Sequence, residues 1–312
     1  MKLLITGVHG FVGSNLVRVL SKDHIIYGLD IISPIKEGIN FTFPWSSLDI
    51  EGEIPEIDAV IHLAGKAHDT KNEAAADVYF KVNTNLTKKI FDYFCMHSNI
   101  KKFVFFSTAK AVADKVDGIL TEDVVPAPVG PYGESKIAAE QYILEHMPED
   151  RQIYIFRPCM IHGPGNKGNL NLLYNIVKKG IPWPLGAFEN RRTFTSVDNI
   201  CFAVNGVITK DVPSGIYNMG DDEALSTNEL IEEICKSLGK KAHIWKLPKG
   251  LMNGVAKIGG WLHLPLNPES LRKLTENYIS SNTKIKKALG IDKMPVDARS
   301  GLHATLAAFK IK

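Results

Sequence analysis

The sequence predicts an α/β protein: a doubly wound parallel sheet followed by a smaller, mostly helical C-terminal lobe. Three observations carry this. Short runs that are apolar nearly throughout alternate with segments of helical period in the first half, as expected of parallel strands covered on both faces. A glycine-rich turn, Gly7-Val8-His9-Gly10-Phe11-Val12-Gly13, joins the first such run to the first helical segment. Beyond Arg157-Pro158 the alternation stops, and proline and glycine become dense at 163–168 and 180–186.

In chain order the expected strands are Lys2–Thr6, Ile25–Leu29, Ala59–Leu63, Lys102–Phe106 and Ile153–Phe156. The helices between them are expected at Phe11–Ser21, Glu73–His97 and Tyr132–Met147. Shorter helices follow at Ser226–Leu238, Leu251–Trp261, Pro268–Glu276 and Val296–Phe309. This places a soft boundary near residue 164, dividing a sheet domain over 1–164 from a lobe over 165–312, with 193–209 packing back onto the first. A chain of 312 residues has room for two such units at roughly 100–200 residues each.

Composition narrows the function classes. Apolar residues make up 45% and charged ones 23%, which fits a globular chain and excludes disorder. The formal charge of +3 is too small to argue for nucleic acid as a partner. Cys95, Cys159, Cys201 and Cys235 are scattered without ligand or redox spacing, so they read as buried thiols of a reducing compartment. Glycines cut the run after Leu3-Leu4-Ile5 too early for a secretory signal, and no run of eighteen uncharged apolar residues occurs. A cytoplasmic protein is expected. His62, His68 and His162 form no ligand cluster in the sequence, so no metal is expected.

The turn from Gly7 to Gly13 has the spacing G-x-x-G-x-x-G after the first strand. Glycines there serve a tight turn, close backbone approach to a pyrophosphate and close packing of helix on strand. The helix start, at Phe11 and Val12, offers backbone N–H groups to the anion. A Rossmann-type dinucleotide site follows from this placement. Asp30 ends the second strand and is followed by Ile31-Ile32 rather than basic residues. A carboxylate there accepts from ribose hydroxyls and repels a 2′-phosphate, which favours NAD over NADP. Asp49-Ile50 is a weaker candidate for the adenine edge.

Tyr132 and Lys136 stand four apart at a helix start, on one face and one turn from each other. A tyrosine of pKa near 10 becomes a usable base when a cation stabilises its phenolate. Ser107-Thr108, at the end of the fourth major strand, supplies a hydroxyl to polarise the substrate oxygen.

With these residues and His62-Leu63-Ala64-Gly65, Asn83 and Arg157-Pro158 in this order, the chain resembles the extended short-chain dehydrogenases/reductases, the NAD-dependent epimerase/dehydratase family of nucleotide-sugar enzymes. The resemblance covers essentially the whole chain. It implies that Thr108, Tyr132 and Lys136 are the catalytic three. It also implies an NAD site lined by Gly7, Gly10, Phe11, Val12, Gly13, Asp30, Asp49, Ile50, Leu63, Ala64, Gly65, Asn83 and Lys136, with Pro158, Met160 and Ile161 facing the nicotinamide. Residues 165–312 become a substrate-binding lobe. Arg192 stands where the family clamps a diphosphate, and Lys167 and Asn169 could reach the same group. The family's second arginine is missing from its usual segment, and Arg272 is a loose positional substitute. Paired long helices in the family imply a homodimer, for which Phe80, Phe91, Phe94, Ile137 and Tyr142 are the expected outer faces.

Two departures narrow the reaction. Hexose 4,6-dehydratases place an acidic pair after the catalytic threonine, whereas Ala109-Lys110 stand here. The Val-Tyr-Gly segment usual in UDP-galactose 4-epimerases is replaced by Ala111-Val112-Ala113. The segment Ser107–Ala111 looks more like a bacterial subgroup acting on N-acetylated or 6-deoxy sugars of surface polysaccharides. The leading expectation is 4-epimerisation of a UDP-hexose or UDP-N-acetylhexosamine. The alternatives are a 4-keto reductase making a UDP-6-deoxy-N-acetylhexosamine with NAD(P)H, a 4-epimerase of a polyprenyl-diphosphate-linked sugar, and a non-catalytic dinucleotide sensor. Residues 240–266 mix lysines with Trp245, Leu251, Met252, Trp261 and Leu262. They read either as lobe helices buried on one face or as a peripheral contact with anionic membrane.

Overall fold

A computed structural model describes residues 1–66, 75–166, 168–262, 264 and 266–310. The chain begins β1 (Lys2–Thr6), α1 (Phe11–Leu20), β2 (Ile25–Leu29), β3 (Phe41–Phe43), β4 (Ala59–His62), α2 (Ala76–Tyr79), a π-helical stretch over Phe80–Asn85, and α3 (Leu86–Met96). It continues through β5 (Lys102–Phe106), β6 (Ile119–Leu120), α4 (Pro131–Glu145), β7 (Gln152–Pro158) and β8 (Met160–His162). Then come α5 (Asn169–Lys178), β9 (Phe194–Ser196), α6 (Val197–Thr209), β10 (Gly215–Met219) and α7 (Thr227–Ser237). The chain ends with α8 (Lys249–Trp261), α9 (Pro268–Thr275), β11 (Ile279–Ser280), α10 (Thr283–Leu289) and α11 (Ala298–Lys310).

Seven strands form one parallel sheet in the order β10-β7-β5-β4-β1-β2-β3. Winding reverses between β1 and β4, so a crevice opens at the carboxyl ends of these two central strands. Each face carries its own core. On one side α1 and α6 meet through Leu16, Val17, Leu20, Ile200, Val204 and Val207. On the other, Ile90, Phe91 and Phe94 of α3 and Ala139 and Ile143 of α4 lie against Val60, Phe103 and Phe105.

Three features of the sheet went beyond the sequence reading, the first being the three-residue edge strand β3. β7 runs two residues past Phe156 because β10 pairs beside it, Asn218 opposite Arg157 and Met219 opposite Pro158. β10 itself carries an asparagine and a glycine and forms the sheet edge, which hides it from a search for apolar runs. The helix expected over 73–97 is described from Ala76 and is not continuous in type, since Phe80–Asn85 widens to a π turn. Phe91 and Phe94, expected on an outer face, are fully buried against the sheet. Their apolar stripe is the one α3 needs for its own sheet contact, so they offer nothing to a second copy.

A third core holds the C-terminal helices together through Leu170, Leu230, Ile234, Met252, Leu271 and Leu306. Two caps begin its helices: Ser226 with Glu229 on α7 and Asn267 with Ser270 on α9, each a reciprocal pair that occupies the first N–H groups. Among the described residues no helix is long and apolar enough to cross a membrane.

Candidate active site

The glycine turn sits at the end of β1, against the end of β4. Gly7 has φ +67°, and a Cβ there would come within 3.0 Å of the Ala64 nitrogen. At Gly13 a Cβ would meet the Gly7 carbonyl oxygen at 2.5 Å, so only glycine lets α1 sit this close to the turn. Gly10 begins α1 with no side-chain cap, leaving the helix start to a ligand rather than to a capping hydroxyl. Leu63 and Ala64 both donate backbone N–H groups to Thr6 Oγ1, at 3.1 and 3.0 Å, which ties the two strand ends together. These cradles fit a dinucleotide pyrophosphate.

Asp30 lies at the end of β2 and accepts from the His9 and Ile31 N–H groups at 3.1 and 2.7 Å. Its carboxylate is thereby fixed beside the glycine turn. Asp49 is exposed and paired with Lys89 at 2.7 Å, and Ile50 is exposed beside it.

His62 is enclosed. Thr6 Oγ1 lies 2.7 Å from its Nδ1 and Thr87 Oγ1 lies 2.9 Å from its Nε2. Burial first, and then the nearby Lys136 charge, hold the ring neutral. His162 is likewise packed, between Thr305 and Asp221. His68 lies outside the described residues, and among those described no group of His, Cys, Asp and Glu could hold a metal.

The π turn has a visible use. Asn83 is buried within it, and its Oδ1 accepts from the Lys66 N–H at 2.7 Å while its Nδ2 donates to Ser135 Oγ at 3.0 Å. One side chain thus ties the segment after β4 to the first turns of α4. Gly65 lies in this junction: a Cβ there would meet Asn83 Oδ1 at 2.9 Å and Lys136 Nζ at 3.2 Å.

Helix α4 starts at Gly130-Pro131, glycine supplying the φ of +83° and proline the first helical position. Next, Gly133 admits the turn after β5, since a Cβ there would stand 2.6 Å from the Lys110 carbonyl oxygen. That approach brings Thr108 to Tyr132. The threonine hydroxyl is bonded to the phenol, lowering its pKa against a larger upward push from burial. Lys136 Nζ is buried and donates to the Phe106 carbonyl at 2.8 Å. Burial brings this ammonium down to about 8, with Glu140 opposing. Ser107 faces the other way and donates to Glu140, which is buried with Arg157 Nε 3.1 Å from each carboxylate oxygen. Of the two adjacent hydroxyls, therefore, Thr108 reaches Tyr132 and Ser107 braces the buried ion pair.

Tyr132 opens onto a cleft of about 400 Å³ whose other walls include Tyr79, Lys110, Asp114, Glu269, Arg272 and Lys273. The Tyr79 ring meets the Tyr132 ring edge-on at 6.1 Å. Asp114 stands between Lys110 at 3.2 Å and Arg272 at 3.8 Å. Arg192 is half-buried behind this wall and donates to the Lys273 carbonyl. Of the two arginines, Arg272 lines the cleft beside Lys110 and Lys273, and Arg192 does not. Lys167 lies outside the described residues, and Asn169 is described only as the first residue of α5. Pro158 is buried at the end of β7, with Met160 and Ile161 half-buried on β8. Tyr79 and Asp114 lie in no motif of the sequence and enter the site only through the fold.

Residues 3–220 match the NAD dependent epimerase/dehydratase family. The chain belongs to that family. It is an NAD-dependent enzyme. Among curated relatives, the UDP-glucose 4-epimerase of Vibrio cholerae is 31% identical over 271 residues, covering 79% of this chain and 78% of that one. N-acetyl-alpha-D-glucosaminyl-diphospho-ditrans,octacis-undecaprenol 4-epimerase of Escherichia coli O157:H7 is 27% identical over 298 residues, 91% of this chain and 84% of its own. The crystal structure of UDP-glucuronic acid 4-epimerase from Bacillus cereus in complex with NAD superposes with a TM-score of 0.76 at 22% identity, covering 100% of this chain and 99% of that one. At that identity the superposition speaks to the fold.

Proposed function

We propose that the protein is a 4-epimerase of a UDP-linked hexose or N-acetylhexosamine, with Tyr132 as proton acceptor and donor at the sugar hydroxyl. The observation that carries this reading is the Thr108–Tyr132 hydrogen bond at the mouth of a cleft walled by Lys110, Arg272 and Lys273. Bound NAD supplies reversible hydride acceptance at carbon 4. The residues themselves do the rest. Gly7, Gly10, Gly13, Asp30, Ala64, Gly65 and Asn83 hold the cofactor's side of the crevice, with Phe11, Val12, Leu63, Pro158, Met160 and Ile161 around them. Thr108 orients the sugar oxygen toward the phenol, and the Lys136 ammonium favours the phenolate.

On the substrate side, Arg272 and Lys273 suit a diphosphate, a guanidinium fork holding phosphate oxygens in two bonds. Arg192 supports that wall through the Lys273 carbonyl, and Lys167 and Asn169 remain candidates from the sequence. The helices that share the third core, α5, α7, α8, α9 and α11, form the substrate side of the molecule in this reading. Ala109 and Lys110, where a dehydratase carries carboxylic acids, argue against loss of water. Four unpaired cysteines suit a reducing, cytoplasmic setting. A homodimer through the helical stretch over 76–96 and α4 is supported by exposed Val78 on α2, Phe80 in the π turn and Leu144 on α4 rather than by the buried phenylalanines.

The test is turnover of UDP-glucose and UDP-N-acetylglucosamine by protein purified without additives. Epimer formation with no added cofactor supports the reading. Activity only with a 4-keto sugar, with one NAD(P)H consumed per product, replaces it with a reductase.

A further inference from the structure

Helix α8 carries two apolar stripes. The inner one, Met252, Ala256 and Gly259, is buried in the lobe core. It is fixed there, because a Cβ on Gly259 would strike the Leu266 carbonyl and one on Gly260 would come within 3.0 Å of Pro268. The outer stripe is Leu251, Val255, Ile258 and Leu262, at the i, i+4, i+7, i+11 positions of a second face. All four are exposed, Ile258 by 59%. Trp261 adds an indole exposed by 81% at the end of the helix. Trp245, exposed by 54%, precedes the helix on a segment whose backbone is bonded to Trp183. A contiguous apolar face of this kind marks an interaction surface.

Charge chooses the partner. Residues 239–266 hold five lysines, at 240, 241, 246, 249 and 257, and no aspartate or glutamate. All five are exposed. A second copy seated two-fold on this face would set lysines against lysines with no carboxylate of the segment to pair them. An anionic headgroup layer answers the lysines, while the hydrocarbon beneath it takes the stripe and the interface takes the indoles.

We propose that the outer face of α8, with the basic segment leading into it, docks the protein on an anionic phospholipid bilayer. The helix lies in the plane of the membrane and spans nothing. Because α8 packs on α9, whose Arg272 and Lys273 line the cleft, docking holds the substrate side of the molecule at the headgroups. The proposal concerns a face and not the reaction, so it stands whichever sugar carrier the cleft takes.

The experiment is sedimentation of the full-length protein with vesicles of phosphatidylcholine containing phosphatidylglycerol, and with phosphatidylcholine alone. The expected result is binding to the anionic vesicles, a blue shift of tryptophan emission, and release as salt is raised. Ile258→Glu with Trp261→Glu should weaken partitioning by about tenfold or more, with melting temperature and soluble UDP-sugar turnover unchanged because both positions face outward. Lys246→Gln with Lys257→Gln should weaken binding by a similar factor and flatten its salt dependence. No binding to the anionic vesicles, or binding indifferent to the glutamate pair, overturns the proposal. So does a dimer mass that the glutamate pair halves, which would assign the face to a second copy.

Discussion

Burial pushes the two ionisable groups one turn apart on α4 in opposite directions, the Tyr132 phenol up and the Lys136 ammonium down to about 8. Both shifts favour the neutral forms, so the proton can leave the phenol only with help from a hydroxyl and a cation close by. Thr108 is that hydroxyl. Tyr132→Phe should therefore reduce turnover by about a hundredfold or more while the purified variant keeps its NAD; near-parental turnover would remove Tyr132 from the role. Lys136 gives a second prediction, with opposite signs for activity and stability. Above about pH 8 the folded protein loses this ammonium, and kcat/KM should fall. Between that pH and the ordinary lysine value of 10.5 the unfolded chain still binds the proton, so this group makes stability rise with pH. Melting temperatures of the parent and of Lys136→Met, compared across that window, should show the parent alone gaining from this term.

Among the elements, the π turn over Phe80–Asn85 has the largest consequence for the site. It carries Asn83, whose one amide bonds both the Lys66 N–H and the Ser135 hydroxyl. Asn83→Ala should strand the Lys66 N–H and cost about 1–3 kcal/mol of stability, read as a lowered melting temperature. Gly65→Ala tests the same junction from the other side. Its Cβ would press on Asn83 and Lys136, so kcat should fall more than NAD affinity does. Periodicity announced a helix here and Asn83 was legible through the family pattern, but nothing local in the sequence distinguishes a π turn from an α turn. The glycine turn was legible for the opposite reason: Gly7 and Gly13 each answer a steric demand that no other residue meets. Arg272 was underrated because its place in the cleft depends on how α9 meets the turn after β5, a contact of distant segments that spacing along the chain does not encode.

Over the whole molecule, the alternation of apolar runs marked the central strands, while the edge strands β3 and β10 and the short pairs β6–β11 and β8–β9 stayed hidden. Short strands of mixed polarity depend on their neighbours for identity. The dimer expectation now rests on a narrower face, and light scattering at micromolar concentration should give twice the chain mass, with Phe80→Glu lowering it. A monomer in the parent would contradict that. The central claim, that the enzyme takes hydride from carbon 4 and returns it to the same carbon, has a direct measurement. Protein purified without additives is incubated with UDP-N-acetylglucosamine or UDP-glucose in deuterated water. The account predicts the 4-epimer, with no deuterium at carbon 4 and no net change in nicotinamide absorbance. Deuterium at carbon 4, or no conversion of either sugar until NADH or NADPH and a 4-keto sugar are supplied, would contradict it.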